Sequence, residues 1–104
     1  MLYRSTRGGE AGVSFETALL SAYARDGGLY VPETLPKVSP AQLRSWSELS
    51  LAQVCARVME HFVDLPLSQL ELLTKKAFSS FNGGKEPPLP LVDIGGQDRK
   101  STRL

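Results

Sequence analysis

One cysteine, one histidine and one tryptophan among 104 residues put several kinds of protein out of reach. Cys55 by itself closes no internal disulfide, and with His61 it makes no metal-ligand cluster. Charge of neither sign dominates. Twelve Lys and Arg against eleven Asp and Glu leave a net charge of +1, which is no electrostatic footprint for nucleic acid or an anionic membrane. No apolar run approaches the ~20 residues that a membrane-spanning helix needs. The stretch from Met1 to Gly12 lacks the apolar core of a secretory leader, so none is expected. Arg4-Ser5-Thr6-Arg7 has the flavour of an organellar presequence but not its helical apolar stripe. A cytoplasmic protein is the expectation, and a lone thiol is compatible with that compartment.

What is present fits one domain, with 41% apolar and 22% charged residues. A chain of this length can bury roughly 60–68% of its unfolded surface, which is one modest core. There is no internal repeat. Leu2 to Thr6 reads as a short strand broken by Gly8 and Gly9. Ser14 is a helix N-cap, and Phe15, Ala18, Leu19, Ala22 and Tyr23 follow at helical spacing on one face. Asp26-Gly27-Gly28 ends that helix, Leu29-Tyr30-Val31 is a second short strand, and Pro32 to Pro36 is a stiff connector.

Three capping boxes come next: Ser39 with Gln42, Ser50 with Gln53, and Ser68 with Glu71. They predict a short helix to about Trp46, a helix over 51–63 and a helix over 69–81. The second carries Leu51, Val54, Cys55, Val58, Met59 and Phe62 as its apolar face, and the third carries Leu70, Leu73, Ala77, Phe78 and Phe81. Pro87-Pro88-Leu89-Pro90 is a polyproline-like link, and Leu91 to Ile94 a last strand before Gly95-Gly96. The expected fold class is α/β (α+β): a small sheet of short strands covered by about four helices.

Few residues suggest chemistry. Lys37, Lys75, Lys76 and Lys85 sit in polar contexts, whereas a Schiff-base lysine needs burial or a neighbouring cation to lower its pKa. Gly83-Gly84-Lys85 is followed by Glu86 and Pro87 where a phosphate loop needs Ser or Thr opening a helix, so it reads as a helix stop. Cys55 is expected to be buried and inert, His61 to be a surface side chain, and Trp46 to pack where the short helix meets the next. Asp26 reads as a turn residue. Glu10, Glu16, Asp64, Glu71 and Asp93 are scattered, with no paired-carboxylate spacing. Ser5-Thr6-Arg7-Gly8-Gly9 combines two hydroxyls, a guanidinium and glycine-exposed backbone, a set able to hold a phosphate; the alternative is a strand end with a polar turn.

Asp98 to Leu104 differs from the rest. The seven residues back-translate to a run resembling a sequencing-library adapter, so they are expected to be non-native, with the natural domain as 1–97 and its protein continuing past about Gln97. The alternative is a polar, basic C-terminus.

Tyr3-Arg4-Ser5-Thr6-Arg7-Gly8, then Val13-Ser14-Phe15-Glu16, Ala18-Leu19-Leu20 and Asp26-Gly27-Gly28-Leu29-Tyr30-Val31-Pro32-Glu33 resemble the opening of threonine synthase, in order and spacing. Trp46 to Ser50 and Ala77 to Phe81 also fit, and the resemblance runs over residues 2–94. Two departures stand at a helix end: many relatives have glycine near Ala22 and proline near Arg25. The resemblance implies the accessory N-terminal domain of a fold-type II pyridoxal-phosphate enzyme acting on O-phosphohomoserine. Threonine or 2-oxobutanoate, with phosphate, would be the products. It implies the cofactor domains as the partner, in the missing C-terminal part of the same chain. The Schiff-base lysine of the family lies in a His-Gly-Pro-Thr-Leu-Ala-Phe-Lys-Asp-like motif that this sequence lacks, so no catalytic or cofactor-binding residue is assigned here. A substrate phosphate would fall to Ser5, Thr6 and Arg7. The other function class is a free-standing, non-catalytic interaction module, which a genomic exon encoding the last seven residues would favour.

Overall fold

The computed structural model describes residues 1–95 and 98–101. Gly96, Gln97 and the last three residues of the expected tail lie outside the described residues.

β1 (Leu2–Ser5) is the centre of a three-stranded antiparallel sheet, flanked by β2 (Val13–Ser14) and β3 (Tyr30–Pro32). Tyr3 stands opposite Val13 on one side and Pro32 on the other, and Arg4 stands opposite Val31. The strand alternates: Tyr3 and Ser5 are buried, Leu2 and Arg4 exposed. β2 is too short to show periodicity, which is why the sequence did not reveal it.

Ser14 caps α1 (Phe15–Ser21) by accepting the Thr17 N–H at 3.2 Å. The helix stops earlier than its apolar spacing predicts. Ala22 takes φ 64° and ψ −48°, and Tyr23 N–H donates to the Ser21 carbonyl at 2.7 Å in a three-residue turn. That positive φ favours glycine, the residue the family resemblance would place near this point. Leu19 and Tyr23, expected on a buried face, are consequently exposed.

The next two capping boxes form as the sequence predicts. Ser39 and Gln42 cap each other at the start of α2 (Pro40–Ser45), and Ser50 and Gln53 do so for α3 (Leu51–Glu60). The third does not form. α4 (Leu67–Phe78) begins at Pro66, whose carbonyl accepts the Leu70 N–H at 3.1 Å. Proline brings a pre-set φ and leaves Ser68 already inside the first turn, past the capping position. Phe81–Gly84 makes a short 3₁₀ turn with Asn82 and Gly83 at positive φ. β4 (Leu91–Ile94) then pairs antiparallel with β5 (Asp98–Ser101). Backbone pairing is open to any extended segment and carries no information about the origin of the codons.

α3 and α4 form an antiparallel hairpin. Ala56 and Leu70, both 0% exposed, mark where they close together, and Arg57 Nη1 pairs with Glu71 Oε1 across them at 2.9 Å. Cys55, expected to be buried, is only partly covered, and His61 is half-buried at the α3 C-terminus. Trp46 caps the end of α2 and is half-buried.

The core is thinner than a chain of this length can make. Among the described residues its buried apolar side chains are Tyr3, Ala24, Ala56 and Leu70. The radius of gyration is 16.9 Å, against about 13 Å for a compact domain of this size. Among the described residues no helix is long and apolar enough to cross a membrane.

Candidate functional site

The polar centre of the molecule is where two loops meet, residues 6–12 after β1 and 22–29 before β3. Asp26 joins them. Its carboxylate accepts the Ser5 hydroxyl at 2.6 Å, the Gly28 N–H at 2.9 Å and the Gly9 N–H at 2.8 Å. The hydrogen bond from Ser5, then that from Gly28, holds the carboxyl below its ordinary pKa. Arg7 wraps the same residue: its Nη1 donates to the Asp26 carbonyl at 3.0 Å, and its N–H donates to Ser5 Oγ at 3.1 Å. Thr6 completes the seam, with its N–H on the Leu29 carbonyl at 2.8 Å and its Oγ1 accepting the Leu29 N–H at 3.0 Å.

Glycine is required at two points in this seam, and a Cβ on Gly9 would run into the Asp26 side chain. A Cβ on Gly28 would collide with Ser5 Oγ and approach the Arg7 backbone nitrogen to 3.1 Å. Asp26-Gly27-Gly28 is therefore more than the turn that its sequence suggests. It is the acceptor and the clearance for the loop opposite.

Glu10 ties a second seam. It accepts the Arg25 N–H at 2.6 Å and the Tyr30 hydroxyl at 2.8 Å, and the latter bond pushes the Tyr30 pKa up. Tyr3 links the sheet to the helical hairpin, its hydroxyl donating to the Phe62 carbonyl at 2.6 Å. Burial, then the charge of Asp64, raises the Tyr3 pKa.

The structure brings Ser5, Thr6 and Arg7 together at one rim. A shallow hollow on the open face of the sheet is lined by Arg4, Ser5, Thr6, Arg7, Gly8 and Val31. The three candidates differ in availability. Ser5 is 3% exposed and its proton goes to Asp26, whereas Thr6 and Arg7 are exposed. Arg4 was not among the residues singled out from the sequence. The alternation of Leu2-Tyr3-Arg4-Ser5 could have found it, because a period of two puts Arg4 on the face opposite Ser5.

A wider groove runs past Gln53, Glu71, Leu72, Lys75, Phe78 and Pro88. Of its two carboxylates, Glu71 is already paired with Arg57 and Glu86 is exposed. Lys37, Lys75, Lys76 and Lys85 are all exposed.

Residues 2–78 match the family model for the threonine synthase N terminus. Threonine synthase-like 2 of Xenopus laevis is 43% identical over 98 residues, covering 91% of this chain and 21% of that protein. Threonine synthase of Schizosaccharomyces pombe is 31% identical over 96 residues, covering 89% of this chain and 19% of that one. Among solved structures, PLP-bound threonine synthase from Brucella melitensis superposes with a TM-score of 0.88 at 31% identity, over 97% of this chain and 22% of that chain. The chain thus spans about a fifth of the length of the proteins it matches. The match runs through β1, both loops of the polar seam and the helical hairpin, and the chain belongs to the threonine synthase family, of which it carries the N-terminal region.

Proposed function

We propose that this chain is the N-terminal part of a pyridoxal-phosphate-dependent, threonine-synthase-like phospho-lyase. It would act on O-phosphohomoserine in the cytoplasm, with the reacting groups in the larger C-terminal portion. The carrying observation is the superposition of 97% of the chain on about a fifth of a PLP-bound threonine synthase. The thin core points the same way. Leu20 and Leu72 stand 78% and 70% exposed, and amphipathic helices that leave such leucines in water are built to pack against something else.

The residues of this chain do not fit the reacting, aldehyde end of the cofactor. The four lysines named above are exposed, and the backbone N–H groups of Ser5, Thr6, Arg7 and Gly8 already have protein acceptors. No step of the chemistry is therefore assigned to them. Their role is to present a rigid, basic rim to the cofactor-bearing part, with Thr6 and Arg7 turned toward a substrate phosphate and Ser5 holding the turn.

The test is to recover the contiguous coding sequence across the codon for Gln97, express it with pyridoxal phosphate, and measure phosphate release from O-phosphohomoserine. Release, with threonine or 2-oxobutanoate as co-product, is the expected result. A cofactor-loaded protein that releases no phosphate overturns the reading. A coding sequence that stops at Gln97, or truly encodes Asp98 to Leu104, leaves the interaction module in its place.

A further inference from the structure

We infer that the hollow at the end of β1 is a phosphate-monoester site in which Arg4 and Arg7 are the cationic ligands, Thr6 a hydroxyl donor, and Ser5 and Asp26 the supports. This rests on the phospho-lyase reading for its biological substrate, but the site is argued from its own geometry.

Arg4 leaves β1 on the face opposite Tyr3 and Ser5, beside Val31, and is exposed. Its guanidinium has no hydrogen-bond or ion-pair partner among the described residues. An arginine without a partner, on a face otherwise floored by valine, is a charge waiting for an anion from outside the domain. Arg7 reaches the same rim because Gly8, at φ 80°, turns the chain back, and because its backbone N–H is pinned to Ser5 Oγ. Arg7 uses one donor, Nη1, on the Asp26 carbonyl, lies close enough to the Asp26 carboxylate to help lower its pKa, and keeps further N–H donors free. Thr6 Oγ1 accepts from Leu29, so its own proton is free to donate.

Among the described residues no carboxylate lines the hollow. The nearest in the chain's bonding network, Asp26, accepts from Ser5, Gly9 and Gly28, and so serves the loops rather than the rim. Two guanidinium forks and one hydroxyl match the oxygens of a phosphate monoester, which carries about −1.5 to −2 charges at neutral pH. A carboxylate, with two oxygens and one charge, would leave one fork unused.

The chemistry has two sources, a phosphorylated amino acid and the phosphate of the cofactor, and the experiment separates them. The contiguous protein, prepared without cofactor, is titrated with inorganic phosphate, O-phosphoserine and pyridoxine phosphate (which lacks the aldehyde and cannot react with lysines), with the shifts of isotope-labelled arginine and threonine followed by NMR. Saturable shifts centred on Arg4, Thr6 and Arg7 are expected. Tighter binding of O-phosphoserine assigns the site to substrate, and tighter binding of pyridoxine phosphate assigns it to cofactor. Arg4→Gln and Arg7→Gln each weaken binding about tenfold, the loss of one charge-assisted contact. Arg44→Gln, an exposed change on α2, leaves it unaltered. In the contiguous enzyme, Arg4→Gln raises KM for the phosphorylated substrate about tenfold with kcat little changed. No saturable shift at the rim, or binding and KM untouched by Arg4→Gln, overturns the site. Phosphate binding by the chain stands even if the contiguous protein proves to be no phospho-lyase, so the two readings fail separately.

Discussion

Residues 1–33 and residues 51–78 are held together in opposite ways. In the first, two carboxylates, Asp26 and Glu10, gather backbone N–H groups and hydroxyls from loops distant in sequence. In the second, two amphipathic helices close over Ala56 and Leu70, with one ion pair along the seam. Polar seams depend on direction and distance, so each atom matters; apolar contact depends on volume and tolerates small changes. The difference places the precise geometry at the β1 rim and leaves the hairpin as scaffold.

The comparison is tested most severely by Leu70→Ala. Leu70 is fully buried, and its truncation should cost about 3 kcal/mol by urea unfolding. Hydrogen exchange should show the loss in α3 and α4 and leave residues 1–33 protected. Equal loss in both regions would mean that they fold as one unit.

The converse change is Gly28→Ala. The added Cβ meets Ser5 Oγ and the Arg7 nitrogen, and a loss of about 2 kcal/mol is expected, with exchange rising first at Gly9 and Leu29. Acid should select the same region. Asp26 has a folded pKa below its ordinary 3.8, so its contribution is complete above that value and disappears as pH falls through the lowered one. Asp26→Asn should flatten that acid limb.

Tyr3→Phe removes the shorter of two polar links between the regions, the other being Met1 to Asp64, and should cost about 1 kcal/mol. Alkali should mimic it. The folded Tyr3 pKa lies above 10.0, so its contribution is full below 10.0 and is lost as pH rises through the folded value. Thermal melts of the wild type and of Tyr3→Phe should converge there.

Serine caps give a finer discrimination. Ser50→Ala breaks a formed capping box and should cost about 1 kcal/mol, whereas Ser68→Ala, where no box forms, should stay within about 0.5 kcal/mol. The smallest expected effect is a gain. Ala22→Gly relieves a non-glycine residue at φ 64° and should add about 0.5 kcal/mol in the same unfolding assay.

Much of the fold was legible because its causes are local. Ser14, Ser39 and Ser50 mark three helix starts by side chains that reach only three residues ahead. The strands at 2–5, 30–32 and 91–94 follow from short apolar runs between glycine and proline. The Ser68 box misled because Pro66 competes for the same helix start from two residues earlier. The basic turn at Ser5 to Arg7 was visible as a set of residue types, whereas Arg4 could be reached only through the alternation of β1, which does not say which face is left open.

By itself, then, the sequence determined the order of the four helices and the longer strands, three of the four helix starts, the balanced charge and the family. Only the tertiary structure decided that Asp26 is an acceptor for four residues' worth of loop rather than a turn, that Ser5 is turned inward, and that Arg4 stands free beside Arg7. The physical reason is range. Caps, turns and periodicity act within one or two turns of chain, whereas Asp26 meets Ser5 across 21 positions and Tyr3 meets Phe62 across 59, pairings set by how strands and loops are folded against one another.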